Sequence, residues 1–261
     1  MKVSELTAKP PKILLYGDVG VGKTALALTL GEGTLVLDID DGLLTGKNLK
    51  DEWADQRGSV DVLQFPEPTP HIKATAFMEL KRAAIDLANK MRTNKTLYRA
   101  VILDSLSAMA ERAVAQIMSN SGKLNQKIEI QHWGLAFEEI KQVISILRTL
   151  PVPFILIGHE QTKTVGSGED AEGKLELAVP GKNLASQLSR YFDEIWYMRA
   201  RPAGGGKMKY SIQTRSNGVI PCRSRANIPD GTETGCGMWK LIEMCGYKPP
   251  EKTDGKEVTK G

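Results

Sequence analysis

Apolar residues along the chain fall into short unbroken runs separated by longer stretches of helical periodicity. KILLY at 12–16, TLVLD at 34–38, AVILD at 100–104 and FILIG at 154–158 are four such runs. Their lack of polar alternation is the pattern of strands buried on both faces. Between them the period changes to that of a helix. Residues 25–30 predict a helix closed by Gly31 and Gly33. Phe77, Leu80, Ala84, Leu87, Ala88 and Met91 share one helical face, and Leu106, Met109, Ala113 and Ile117 share another. Trp133, Phe137, Ile140, Ile144, Leu147 and Leu150 mark the longest amphipathic helix, stopped by Pro151 and Pro153. Residues 195–198 and 210–214 predict two later strands around the Gly-rich turn at 203–206. The Pro-rich stretch 65–70, the polar stretch 119–131 and the charged, Gly-rich segment 162–181 predict loops, the last of them mobile. Strands alternating with helices predict an α/β fold with a mostly parallel sheet flanked by helices.

The chain has 261 residues, which at about 150 per domain points to one large α/β domain with appendages. We divide it into a polar lead at 1–11, a domain at 12–247 and a disordered polar tail at 248–261. Hydrophobic residues at 41% and charged residues at 25% exclude a mainly disordered, collagenous or coiled-coil chain. No apolar run approaches the roughly 20 residues of a membrane span, and the start has no apolar signal segment, so a cytoplasmic location without membrane partners is expected. The 3 cysteines contain no CxxC pair and lie far from the 3 histidines, which argues against structural zinc or a disulfide framework. The net charge of +4 is mild, but the stretch 190–225 holds eight basic residues against two acids, a local +6. Such a run is either a solvated face or a surface for phosphate or nucleic acid.

GDVGVGKT at 17–24 fits G-x-x-x-x-G-K-[ST], directly after a predicted strand and before a predicted helix. Backbone N–H groups turn inward around a triphosphate only where side chains do not obstruct them, and the helix N-terminus favours the anion. Gly17, Asp18, Val19, Gly20, Val21, Gly22, Lys23, Thr24 and Ala25 are the expected nucleotide contacts, with Lys23 on the β- and γ-phosphates and Thr24 on Mg²⁺. Asp104, at the end of an apolar strand where ligands of open α/β sheets collect, is the second expected Mg²⁺ residue. The acidic cluster Asp38, Asp40 and Asp41 is either a solvated turn or a catalytic feature. In the second case Asp40 orients or deprotonates the attacking water, with Asp38 and Asp41 in reserve. GHEQ at 158–161 ends the fourth strand, and His159 or Glu160 is placed to sense a γ-phosphate. Arg223 and Arg225, with Arg215 in reserve, are candidates for an arginine that reaches a neighbouring subunit's phosphates; solvated arginines or DNA-phosphate contacts are the alternatives.

These residues resemble the RecA family of recombination ATPases, and within it the short RecA-like phage proteins of the single-strand annealing (Sak) type. The resemblance is carried by the order of 17–24, DID at 38–40 and VILDS at 101–105, by HWGLA at 132–136 opening a long helix, and by PGKNL at 180–184 before SRYFD at 189–193. It runs from about Ile13 to Pro229. The family usually has Glu where this chain has Asp40, and Gln where His159 or Glu160 stands; the phage relatives often have a His-Glu pair. The resemblance implies a RecA-like P-loop core and an ATP- and Mg²⁺-dependent ATPase that binds single-stranded DNA. It further implies annealing or strand exchange in phage recombination, a homo-oligomer, ring or filament, and possible contact with a single-strand-binding protein. The segment 162–182, where the family's second DNA loop falls, has a net charge of −1, so DNA contact is expected at 190–225 or at 119–132 with Lys123 and Lys127. A nucleotide or small-molecule kinase and a nucleotide-gated DNA-binding scaffold with weak hydrolysis remain alternatives.

Overall fold

The unbroken apolar runs form the middle of the sheet. In the computed structural model, which describes residues 9–43, 52–67, 69, 72–165, 172–179 and 184–248, these runs are β1 (Lys12–Gly17), β2 (Thr34–Asp38), β4 (Ala100–Asp104) and the first part of β5 (Phe154–Val165). The other strands are β3 (Asp61–Gln64), β6 (Glu172–Leu177), β7 (Glu194–Pro202), β8 (Met208–Gln213), β9 (Arg223–Ser224) and β10 (Thr232–Glu233). Their order is β10-β8-β7-β1-β5-β4-β2-β3, with β6 on β5 and β9 on β7. The six strands from β7 to β3 run parallel, while β6, β8, β9 and β10 pair antiparallel. The expected α/β class, a mostly parallel sheet flanked by helices, is the observed one.

Burial on both faces explains the missing polar alternation. Leu14, Tyr16, Leu37, Val101, Leu103 and Leu156 face a core shared with α3 (Ala76–Thr93), α4 (Leu106–Asn120) and α5 (Ile130–Arg148). Their strand neighbours Ile13, Leu15, Val36, Ile102, Ile155 and Ile157 face the opposite core, made with α1 (Lys23–Leu28) and α7 (Gly237–Met244). Successive residues of one strand therefore belong to different cores, as the two-residue period of a strand requires.

The structure corrects the loop reading of 162–181. β5 continues through Gln161, Thr162, Lys163 and Thr164, and β6 folds back on it with Glu160 opposite Leu177 and Thr162 opposite Leu175. Leu177 is buried against Gly158, so the Leu175/Leu177 alternation makes a half-buried strand out of a stretch that charge and glycine disguise. Residues 166–171 and 180–183 lie outside the described residues, as do 1–8 of the lead and 249–261 of the tail. Among the described residues, α2 (Ala54–Gly58), exposed edge strand β3, α7 and the two-residue strands β9 and β10 had no sequence signal. A further short helix, α6 (Leu184–Leu188), leads through a 3₁₀ turn at Ser189–Tyr191 into β7.

α7 is tied to the end of α1 by specific bonds as well as apolar burial. The Met238 N–H donates to Thr29 Oγ1 at 2.8 Å, and Trp239 Nε1 donates to the Leu30 carbonyl at 2.7 Å. Both Thr29 and Met238 are buried, so an amide left without its acceptor there has no water to turn to. Thr29→Val keeps the shape and removes the acceptor. We expect it to lower stability by about 1–3 kcal/mol, measured as a shift of the urea midpoint at unchanged slope.

Candidate functional site

The C-terminal ends of the parallel strands converge on the turn between β1 and α1. Gly17 ends β1 with φ 154°, and a Cβ there would stand 2.5 Å from the Met198 carbonyl oxygen of β7. Gly20 and Gly22 take φ 79° and 88°, left-handed geometry that side chains resist. The chain thus turns tightly around the start of α1 and leaves Val19 exposed at its tip. Lys23, buried at 5% exposure, folds back to donate to the carbonyls of Gly17 at 3.0 Å and Asp18 at 2.6 Å. Burial lowers its ammonium pKa, opposed by the nearby carboxylates of Asp104, Asp18 and Glu160. A lysine among carbonyls, under a helix N-terminus with small residues around it, has the chemistry of a phosphate cradle.

Across the sheet, Thr24 Oγ1 donates to Asp104 Oδ2 at 2.6 Å. Asp104 is buried at 6% exposure, and desolvation, the main cause, pushes its pKa up to about 6. The hydroxyl and carboxylate fit Mg²⁺, an ion that takes one or two protein oxygens and completes its shell with phosphate and water. Among the described residues no group of three or more His, Cys, Asp or Glu side chains is placed to hold a metal ion.

The acidic cluster divides by environment. Asp38, opposite Asp104 in the β2–β4 register, is 1% exposed, with its pKa raised by burial and its Oδ2 accepting from Gln64 Nε2 at 3.3 Å. Asp41 turns to solvent with φ 56° and accepts from the same Gln64 amide at 3.1 Å. Asp40 faces the site. Its Oδ2 accepts from Ser105 Oγ at 3.0 Å and lies 3.7 Å from His159 Nε2. The imidazole of His159 beside it leads the causes that hold this carboxyl below the usual range, followed on that side by the Ser105 hydroxyl, so Asp40 stays ionised.

His159 sits beside Gly17 in the β1–β5 register, which carries Asp40's partner to the phosphate turn. Glu160 takes the other side of β5. Its neighbour is Tyr197, whose phenol pKa is raised first by burial and then by Glu160, and its Oε2 is buried without a partner. Tyr197 packs edge-on to Tyr16, the residue before Gly17, with ring centroids 5.3 Å apart.

The arginines lie elsewhere. Register puts Glu194 beside Ile13 and Arg223 beside Ile195, at the end of the sheet opposite the phosphate turn. Arg223 donates to the carbonyls of Ser189, at 2.6 Å, and Phe192. Arg225 pairs with Asp193 at 2.8 Å. Exposed Arg215 follows β8, its backbone amide bound to Asp230. None of the three is gathered to the phosphate turn of its own chain. A cavity of ≈ 810 Å³ beside Lys23 and Thr24 is lined instead by Trp53 and Arg57 next to α1, which had no sequence signal, and by Lys207, Lys209 and Tyr210 of the β7–β8 hairpin, from the basic run 190–225. That hairpin reaches the cavity because Gly204, Gly205 and Gly206 all adopt positive φ. The fold-back cannot be read from the basic run itself.

Buried and ionised, Asp104 is costly to the protein alone. Its raised pKa means that ionisation weakens the fold as pH climbs from about 4, where the unfolded side chain titrates, to about 6, where the folded one does. Asp104→Asn is therefore expected to leave stability unchanged below pH 4 and to raise it by roughly 1–3 kcal/mol above pH 6. Thermal melts across that range test the sign.

A family model described as an AAA domain matches residues 9–226. No curated protein sequence matches the chain. Similar solved structures include a KaiC-like protein from the hyperthermophilic archaeon Pyrococcus horikoshii OT3, at 12% identity and TM-score 0.41, covering 78% of this chain and 79% of that one. The flagellar accessory protein FlaH from Methanocaldococcus jannaschii has 10% identity and TM-score 0.41, with 87% and 84% covered. An ATPase from the type III secretion system of pathogenic bacteria has 13% identity and TM-score 0.46, with 73% and 51% covered. The family match takes in the phosphate turn, Asp40, Asp104 and His159 together, and the chain belongs to the AAA domain family.

Proposed function

We propose that this protein is an Mg²⁺-dependent ATPase of the RecA-like type that binds single-stranded DNA and promotes annealing or strand exchange in phage recombination. The observation that carries the ATPase part is the 2.6 Å contact between Thr24 and buried Asp104, directly beside Lys23 in the glycine turn. Lys23 leaves its carbonyl partners for the β- and γ-phosphates, and Thr24 with Asp104 holds Mg²⁺, which supplies charge neutralisation on the phosphates when bound. Asp40, kept ionised by His159 and Ser105, accepts the proton of the attacking water. The cavity under the β7–β8 hairpin takes the nucleoside, with Trp53 and Tyr210 as its aromatic walls.

The DNA part rests on the resemblance and on charge placement. β5 runs without a break from His159 into the β5–β6 hairpin, which gives nucleotide state a rigid path to a remote surface. The protein works as a homo-oligomer in the cytoplasm of a host cell, with an arginine of one subunit serving the next. Among the described residues no helix is long and apolar enough to cross a membrane.

Steady-state ATP hydrolysis with and without single-stranded DNA tests the reading. We expect DNA to raise the rate, Lys23→Ala to abolish nucleotide binding, and Asp40→Ala to cut kcat by about 10²–10⁴ while ATP still binds. Annealing that survives Lys23→Ala would instead identify a nucleotide-independent scaffold. Phosphate transfer to a nucleoside acceptor, indifferent to DNA, would identify a kinase.

A further inference from the structure

A second concave site lies at the other end of the sheet, between the last turns of α5 and the 3₁₀ turn that leads into β7. Its volume is ≈ 420 Å³, and Lys141, Arg148, Gln187, Arg190 and Tyr191 line it. Lys141 and Arg148 are seven residues apart on one helix, hence on one face and about 10 Å apart along the axis. Arg190 comes from the facing turn. The Arg148 guanidinium lies over the Tyr191 ring, 5.2 Å from its centroid.

The charges here are committed unevenly. Among the described residues neither Arg148 nor Arg190 has a carboxylate within ion-pair distance, and Lys141 has only the exposed Glu138 on its own helix, at 2.5 Å. The two acids of the basic segment are taken. Asp193 accepts from the Arg225 guanidinium at 2.8 Å and from the Lys12 amide at 3.1 Å. Glu194, buried, accepts from Trp196 Nε1 and from the amides of Arg225 and Ala226. Arg223 holds the carbonyls of Ser189 and Phe192, so it fixes the turn that presents Arg190 and Tyr191. Of the local +6, Arg223 and Arg225 therefore build the scaffold while Arg190 is left facing the groove.

We propose that this groove binds the phosphodiester backbone of single-stranded nucleic acid, with Lys141, Arg148 and Arg190 on the phosphates and the stacked Arg148–Tyr191 pair as a platform for a base. Cations interleaved with an aromatic ring and an amide are the chemistry of sequence-tolerant single-strand recognition. The inference rests on the DNA-binding reading above and adds a site that the phosphate turn does not share.

The test is fluorescence anisotropy of a labelled oligothymidylate over a salt series, on the full chain and on Arg148→Ala/Arg190→Ala. Losing two phosphate contacts at ~0.7 each lowers the slope of log K against log salt by about 1.4 and weakens binding roughly 10- to 30-fold at 0.1 M salt. Affinity for a fluorescent ATP analogue stays unchanged, and Arg148→Lys/Arg190→Lys restores most of the slope. An unaltered slope and affinity in the alanine variant overturns the site while leaving a DNA-binding ATPase intact. Full-length protein that binds no oligonucleotide at any salt overturns the underlying reading as well. Equal displacement of the oligonucleotide by inorganic phosphate at low concentration, or by polyglutamate at matched charge, reassigns the groove to a free anion or an acidic polypeptide and overturns the nucleic-acid assignment.

Discussion

The contact on which the site depends is a hydroxyl meeting a buried carboxylate. Thr24 stands at the start of α1 and Asp104 at the end of β4, and they meet because β5 alone separates β4 from β1 in the sheet. Parallel strands end at the same level, so the turns that follow them share one edge. The carboxylate is held there against its own solvation, and burial raises its pKa to about 6. A buried carboxylate beside a hydroxyl has the chemistry to hold a cation, not a second anion. Function and stability pull in opposite directions at this residue.

Sorting of like charges is the second theme. Three aspartates after β2 would repel one another in one environment, yet each has its own: Asp38 in the interior, Asp41 in solvent, Asp40 between Ser105 and His159. The arginines of 190–225 are sorted in the same manner. Arg223 and Arg225 close the start of β7, and Arg190 is presented beside Tyr191. Neighbouring residues in sequence therefore serve different purposes, because the chain leaves its strands at these points and each side chain meets a different partner.

Position in the fold also separates the glycine turn from the basic groove. The glycine turn and the cavity under the β7–β8 hairpin occupy the C-terminal edge of the parallel strands, while the basic groove occupies the N-terminal edge. The long β5, with half-buried Glu160 next to Tyr197 and Tyr16, runs beside β1 under the phosphate turn and carries on into the hairpin.

By itself the sequence determined the four central strands, the main helices and the glycine turn, since continuous apolar runs and 3.6-residue periods are local consequences of burial. It also singled out Lys23, Thr24 and Asp104, whose spacing follows strand ends. It did not determine β6, where Leu175 and Leu177 alternate within a charged stretch, nor α2 and α7, too short for a period to show. Which aspartate faces the site, whether an arginine is committed or presented, and which hairpin residues border the cavity beside Lys23 were decided only by tertiary structure. Those outcomes depend on long-range pairing, such as Gly17 beside His159 and Arg223 against the 189–192 carbonyls. Local composition is blind to them because the partner that sets each environment lies tens of residues or more away in the chain.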